Sequence, residues 1–490
     1  MTDRDSSTPF IKKFKHDGLF YIYDVNTNQI VEVEKTVYDL IDRLDDTPSN
    51  RSGMSDAAEK IKNAQTEYGL FSSFRPLKVS LGIQGVDDLK KLYQKGLNQL
   101  LLEVTGNCNL NCRYCQTSGK YARPGKSQEH MSREICREAL DFFCKRSLTD
   151  KKSAISFYGG EPLLRFDLIK DAVQYVQKNY DKDGFGFNLT TNGTLLNREM
   201  IDYFITNDFS LLISLDGPEK INDRYRVFKD GQGTFRTIMR NIDFLKEYDI
   251  DYYSRKVSIT SVLSPPFDDV DEILDFFTTE PILEEMWTRG KIRSSLVDTR
   301  ETSFIEDFGL DESLRDYEVV FDRLVERLKR VILSNNLNHL TIEKDPIFPI
   351  LYKLARRPVK RLHSYTYPEG ACHMGLRRVF VRTNGDFYVC ERSGENYKIG
   401  NIGCGFDYER IAGYYMEFEK IFADCRYCWA LIYCNRCWAH IGNLKEFNGK
   451  RREEFCAASQ KMIERTFRVY VELLKQDPDC FKVFKDVMIS

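Results

Sequence analysis

The sequence predicts an α/β chain built on a partial, TIM-like (β/α)6 barrel, with a small α+β unit before it and a cysteine-rich unit after it. Three observations predict this. Strand-like and helix-like segments alternate from Gln99 to Val297, the pattern of a parallel sheet with right-handed crossovers. The fourteen cysteines gather in two groups, at 108–115 and 372–456, with few outside. A strand pair around an Asn-Thr-Asn turn stands apart, at Gly18–Val33.

At 490 residues the chain exceeds one ordinary domain. The expected divisions are 1–84, 98–345, a bridging segment 346–370, 371–460 and a C-terminal helix over 461–490. Net charge is −2 with no basic block, so nucleic acid is not an expected partner. No apolar run reaches the length of a membrane span, and the polar Met1–Ser7 lacks the apolar core of a signal peptide. A cytoplasmic protein is expected. Disulfides are disfavoured there, and clustered cysteines more often hold metal or do redox work.

Element by element, the strands at 18–33 are followed by helical patterns near Val37–Leu44 and Ser55–Tyr68. Gly85–Leu97 leads into the barrel. Barrel strands are expected at Leu101–Thr105, Ala154–Tyr158, Phe185–Thr190, Leu211–Leu215, Val257–Val262 and Ile292–Val297. Amphipathic helices lie between them, among them Arg133–Lys145, Asp167–Asn179 and Phe235–Tyr248. A packing helix over Leu314–Ser334 closes the region. Active residues of such barrels sit at the C-terminal ends of strands.

The first barrel strand runs into Cys108-Asn-Leu-Asn-Cys112-Arg-Tyr-Cys115. Three thiolates on one loop can ligate three irons of a [4Fe–4S] cluster and leave the fourth iron open, unlike a four-cysteine electron-transfer site. The alternative is a structural zinc site, which takes a fourth Cys or His close by. The nearest histidine is His130. Gly159-Gly160-Glu161-Pro162 follows the second strand; its glycines admit a close approach of backbone and Glu161 adds negative charge, a setting for an amine. Thr190-Thr191-Asn192-Gly193 ends the third strand and Ser214-Leu-Asp216-Gly-Pro218 the fourth.

These motifs together resemble the radical S-adenosylmethionine (SAM) enzymes. The resemblance implies that Cys108, Cys112 and Cys115 hold a cluster whose open iron is chelated by SAM. Reductive cleavage then yields a 5′-deoxyadenosyl radical that abstracts hydrogen. It implies SAM contacts from Tyr114, Gly159, Gly160, Glu161, Pro162, Asn192, Ser214 and Arg226, with Arg224 an alternative to Arg226. Asp216 serves equally as an Asx cap. Thr260, Ser261 and Val262 are placed to flank the adenine.

The second group reads Cys372, Gly385-x4-Cys390, Cys425-x2-Cys428-x5-Cys434-x2-Cys437 and Cys456. It resembles the SPASM extension of these enzymes, which carries two further [4Fe–4S] clusters. The family pattern implies Cys372, Cys390 and Cys437 for the first and Cys425, Cys428, Cys434 and Cys456 for the second. Two residues separate Cys434 from Cys437 where the extension often has three. The first set has three ligands, so an iron is open or is closed by Cys404 or a non-cysteine group. A four-cysteine zinc site at 425–437 would leave Cys372, Cys390 and Cys456 unexplained. Cys136, Cys144 and Cys480 read as core residues.

SPASM proteins of this layout mostly modify peptides. The resemblance implies three [4Fe–4S] clusters, SAM, a precursor peptide with a leader, and a reductant such as flavodoxin or ferredoxin. The stretch around Cys372–Cys390 looks most like maturases that form thioethers between cysteine sulfur and carbon, of the sactipeptide and ranthipeptide type. The N-terminal unit then resembles a winged-helix-like leader-binding module, which grips a leader as an added strand. Alternatives are a carbon–carbon or carbon–oxygen crosslinker and a formylglycine-forming sulfatase maturase. Tyr158 counts mildly against the last, where a Gln is usual. A non-catalytic iron–sulfur peptide-binding protein is the alternative of another class. No general base is identified.

Overall fold

The computed structural model describes residues 8–42, 52–94, 96–116, 129–147, 152–297, 317–337, 347–357, 361–368 and 370–486. The chain forms two compact units: one comprises 1–84, 349–372 and 412–490, the other 85–348 and 373–411. The segment 371–460, expected as one domain, contributes to both. Among the described residues no helix is long and apolar enough to cross a membrane.

In the first unit β1 (Ile11–His16), β2 (Leu19–Asp24) and β3 (Gln29–Val33) form an antiparallel sheet in that order. The β2–β3 pair is the hairpin legible in the sequence. β1 is not, because Ile11 and Phe14 stand three apart among lysines and give no alternation. Helices Lys35–Leu40 and Ser52–Tyr68 lay Val37, Leu40 and Ile61 over Ile22. Residues 43–44 of the first expected helix lie outside the described residues. The helix Gly449–Gln476 turns Ile463, Phe467 and Val471, four apart, onto Phe14, Tyr21, Tyr23 and Tyr433. The N-terminal sheet and this late helix therefore share one core. A short strand β4 (Lys78–Val79) pairs in parallel with β11 (Tyr365–Thr366).

The second unit holds the barrel strands β5 (Gln99–Thr105), β6 (Ser153–Gly159), β7 (Phe185–Thr191), β8 (Ser210–Ser214), β9 (Val257–Leu263) and β10 (Ile292–Leu296). Each pairs in parallel with the next. The six expected strands are all present, within two residues at each end. Helices Arg133–Cys144, Phe166–Asn179 and Phe235–Tyr248 match expectation, while the short helices Glu219–Tyr225 and Ile250–Lys256 go beyond it. Side chains cap the starts of two helices of this unit: Ser132 accepts from Ile135 N and Asn197 from Met200 N. The closing helix is Tyr317–Leu333; residues 314–316 of its expected span lie outside the described residues. The sheet continues past β5 through β12 (Arg378–Val381), β13 (Asp386–Tyr388), β14 (Lys398–Asn401) and β15 (Gly405–Phe406). β12 runs parallel to β5.

Along β7 and β9 burial alternates strictly. Phe185, Phe187 and Leu189 are buried, whereas Gly186, Asn188 and Thr190 are half-buried; Ser258, Thr260 and Val262 repeat the pattern. On these two strands one face is buried and the other half-buried and largely polar.

Candidate active site

The loop after β5 carries Cys108, Cys112 and Cys115, and every neighbouring strand end helps to hold it. Gly160 N donates to Thr105 O and Glu161 N to Asn107 O, both at 2.8 Å. Asn111 N donates to Val227 O and Arg113 N to Tyr225 O, also at 2.8 Å. Asn192 Nδ2 reaches Asn109 Oδ1, and Asn109 Nδ2 reaches Thr194 Oγ1, each at 2.9 Å. The two glycines serve this junction. A methyl on Gly159 would drive into the Thr105 carbonyl, and one on Gly160 into the Asn107 carbonyl. Gly159 also holds φ +129°, a region that disfavours other residues. Pro162 begins a short 3-10 helix, Pro162–Arg165, that fixes the exit of this turn.

Glu161 is fully buried. Its carboxylate accepts from Asn192 N at 2.7 Å, Thr191 Oγ1 at 2.8 Å and Leu163 N at 3.0 Å. Burial pushes its pKa up, and these donors pull it back. Glu161 thus ties the end of β6 to the end of β7. Asn192 adds a weak contact from Nδ2 to Cys108 Sγ at 3.8 Å.

Beneath the cysteines lies a buried polar triad. Tyr114 donates to Asp216 Oδ2, and Arg226 Nη1 donates to Tyr114 Oη at 3.0 Å. Asp216 Oδ1 accepts from Val262 N at 3.0 Å, which pins the end of β8 to β9. The ring of Tyr114 packs on Tyr225, centroids 5.7 Å apart. Arg224 turns away into an ion pair with Asp269. Ser214 and Thr260 stand side by side on the half-buried face at the ends of β8 and β9, while Ser261 is buried and donates to Asp216 O.

The three thiols lie close enough to act on one another. Burial pushes the Cys112 thiol up to about 11; Arg226 opposes this, and Cys115, Cys108 and Asp216 add to it. Leu110 N points at Cys108 Sγ from 3.4 Å. Arg226 is buried, and its Nε has no hydrogen-bond partner. A buried cation with an idle donor beside the Cys112 thiol suits an anionic iron–sulfur group. The residues therefore fit a cluster and SAM.

In the first unit Cys425, Cys428, Cys434 and Cys456 gather in the same way. Cys425 and Cys428 act electrostatically on both Cys434 and Cys456, and burial pushes Cys434 up to about 11. Gln460 Nε2 approaches Cys428 Sγ at 3.4 Å from the helix that carries Cys456. Arg436, also buried with an idle Nε, lies among them. Sequence reading passed over Arg436 as a spacer; a lone arginine between clustered cysteines was the available signal. Of the other predicted set, Cys372 and Cys437 belong to the first unit and Cys390 to the second. Trp438 Nε1 donates to Cys372 O at 2.7 Å. None of the fourteen cysteines is in a disulfide. Among the described residues no three Cys, His, Asp or Glu side chains converge as a single ion requires; a cubane binds its thiolates on separate irons.

The family signature described as the radical SAM superfamily matches residues 102–277. An uncharacterized protein of Methanocaldococcus jannaschii is 34% identical over 311 residues, 63% of this chain and 89% of that protein. A cysteine-type anaerobic sulfatase-maturating enzyme of Clostridium novyi is 31% identical over 188 residues, 37% of this chain and 48% of that enzyme. Among solved structures, native anSMEcpe with bound AdoMet superposes with a TM-score of 0.57 at 19% identity, covering 79% of this chain and 100% of that one.

Proposed function

The chain belongs to the radical SAM superfamily, and from that premise we propose that it is a peptide maturase that forms thioethers between cysteine sulfur and carbon in a ribosomally made precursor. The observation that carries the reading is the pairing of a locked three-cysteine loop with a separate four-cysteine set. A binding protein needs no such loop at the open ends of barrel strands.

Cys108, Cys112 and Cys115 would hold one [4Fe–4S] cluster. Cys425, Cys428, Cys434 and Cys456 would hold a second, and the resemblance to the SPASM extension implies a third. When bound, cluster and SAM supply hydrogen abstraction from an unactivated carbon. This chain's residues orient that chemistry. Gly159 and Gly160 offer backbone to the methionyl end of SAM, and Glu161 fixes their position through Thr191 and Asn192. Asn192, which is buried, and Ser214, which is half-buried, stand at the ends of β7 and β8. Arg226 sets positive charge under the site, held in place by Tyr114. The half-buried polar face gives an extended peptide groups to hydrogen-bond while helices exclude water from the sealed side. In the first unit β3 is a sheet edge, the kind of edge onto which a leader adds as a strand. A flavodoxin or ferredoxin is the expected electron source.

The likeness to a cysteine-type sulfatase-maturating enzyme favours a second reading, oxidation of a cysteine in a protein substrate. One experiment separates them: anaerobic co-expression with a cysteine-containing peptide encoded beside the gene, followed by mass measurement and alkylation. Loss of two hydrogens per link with cysteines closed to alkylation is the expected result. The same loss with open thiols would move the assignment to a carbon–carbon or carbon–oxygen link. Cysteine converted to formylglycine would establish the second reading instead.

A further inference from the structure

Arg436 is the least expected charge in the chain. It is 1% exposed. Its Nε has no hydrogen-bond partner, and its Nη atoms reach the backbone carbonyls of Leu431 and Cys434 at 3.4–3.5 Å. The groups acting on it most strongly are Cys425, Cys434 and Cys428 rather than any carboxylate, with a side-chain hydrogen bond to Cys425. Arginine stays charged when buried. A buried guanidinium facing neutral thiols is an uncompensated charge in a low-dielectric setting. Four thiolates on an anionic cluster compensate that charge. The other elements around the site are also donors to sulfur: Gln460 to Cys428, and Ser459 to Cys434.

We propose that Arg436 is a positioning residue that sets the reduction potential of a cluster held by Cys425, Cys428, Cys434 and Cys456, raising it by compensating the charge gained on reduction. The inference rests on the cluster reading given above. A thiolate-bound [4Fe–4S] group is anionic and gains one further negative charge when it takes up an electron, and its potential follows net charge, hydrogen bonds to sulfur and exposure. A fixed cation within the ligand shell favours the reduced form. It suits this cluster to accept an electron rather than to give one at low potential. The short Cys434-Asn-Arg436-Cys437 spacing places the guanidinium inside the cysteine set.

The test is a redox titration followed by electron paramagnetic resonance, in a C108A/C112A/C115A background that lacks the SAM-site signal. Arg436→Met should retain iron and lower the equilibrium constant for reduction at least tenfold, about 59 mV for one electron. Arg436→Lys, which keeps the charge, should stay near the parent. Loss of about four irons from the Met variant alone, with Lys retaining them, would assign the charge to holding the cluster and overturn the role in its potential. A parental midpoint in the Met variant, or loss of iron from both variants, would overturn the proposal. Failure of the underlying reading looks different: changing Cys425, Cys428, Cys434 and Cys456 to Ala would then leave the iron content unchanged.

Discussion

Tyr114 shows how one side chain couples the cysteine loop to the barrel. Its hydroxyl donates to Asp216 and accepts from Arg226, all three buried. Tyr114→Phe keeps the ring against Tyr225 but leaves a buried carboxylate oxygen and a guanidinium without their partner. We expect a loss of about 1–3 kcal/mol in denaturant unfolding, together with slower formation of 5′-deoxyadenosine. Unchanged unfolding would show that the triad is not structural. Glu161 is the second such residue. Glu161→Gln turns an NH2 toward one of three donors, so a penalty of similar size, about 1–3 kcal/mol, is expected in the same measurement; a neutral result would mean that the carboxylate is already protonated and donating. The sequence announced Glu161 and Tyr114 by their motifs. It gave no way to find their partners, because Asp216 and Asn192 meet them only through the winding of the sheet. Arg224 and Arg226 look equivalent in the chain; in the structure Arg224 pairs with Asp269 and Arg226 with Tyr114.

Elements differ in how openly they advertise themselves. The barrel strands alternate or run apolar between turn signals, and each was legible to within two residues. β1 was not, since its lysines fall on both faces and hide the alternation, and its pairing with β2 is what makes it a strand. Two junctions between elements invite tests. At the β6 end Gly160 abuts the Asn107 carbonyl, which is backbone and has no rotamer to escape through. Gly160→Ala should push the cysteine loop aside, with loss of about four irons per chain and no SAM cleavage; full iron content would refute the close approach. In the first unit Phe467 meets Phe14, Tyr23, Trp429 and Tyr433 at ring-centroid distances of 4.7–5.9 Å. Phe467→Ala should destabilise this unit by about 3–5 kcal/mol. The helix also carries Cys456 and Gln460, so unfolding and iron release should occur together on heating. Iron that outlasts the helix would separate the two.

Across the whole molecule, the distribution of cysteines between the units makes the functions separable. Cys108, Cys112 and Cys115 lie in the barrel unit, and Cys425, Cys428, Cys434 and Cys456 in the other. With three clusters the chain should bind on the order of twelve irons. Changing the first set to Ala should remove about four of them and abolish 5′-deoxyadenosine formation. Changing the second set should also remove about four, yet leave SAM cleavage measurable while crosslinked peptide disappears. On the proposed function, SAM contacts would come from strand ends of one unit, whereas the surplus electron of thioether formation would need a sink elsewhere. Uncoupled cleavage, deoxyadenosine without product, is the signature to seek by liquid chromatography of both species from one reaction. If the second variant lost cleavage as completely as the first, the four-cysteine set would be serving the SAM site itself, and the division of labour drawn here between abstraction and electron uptake would fall.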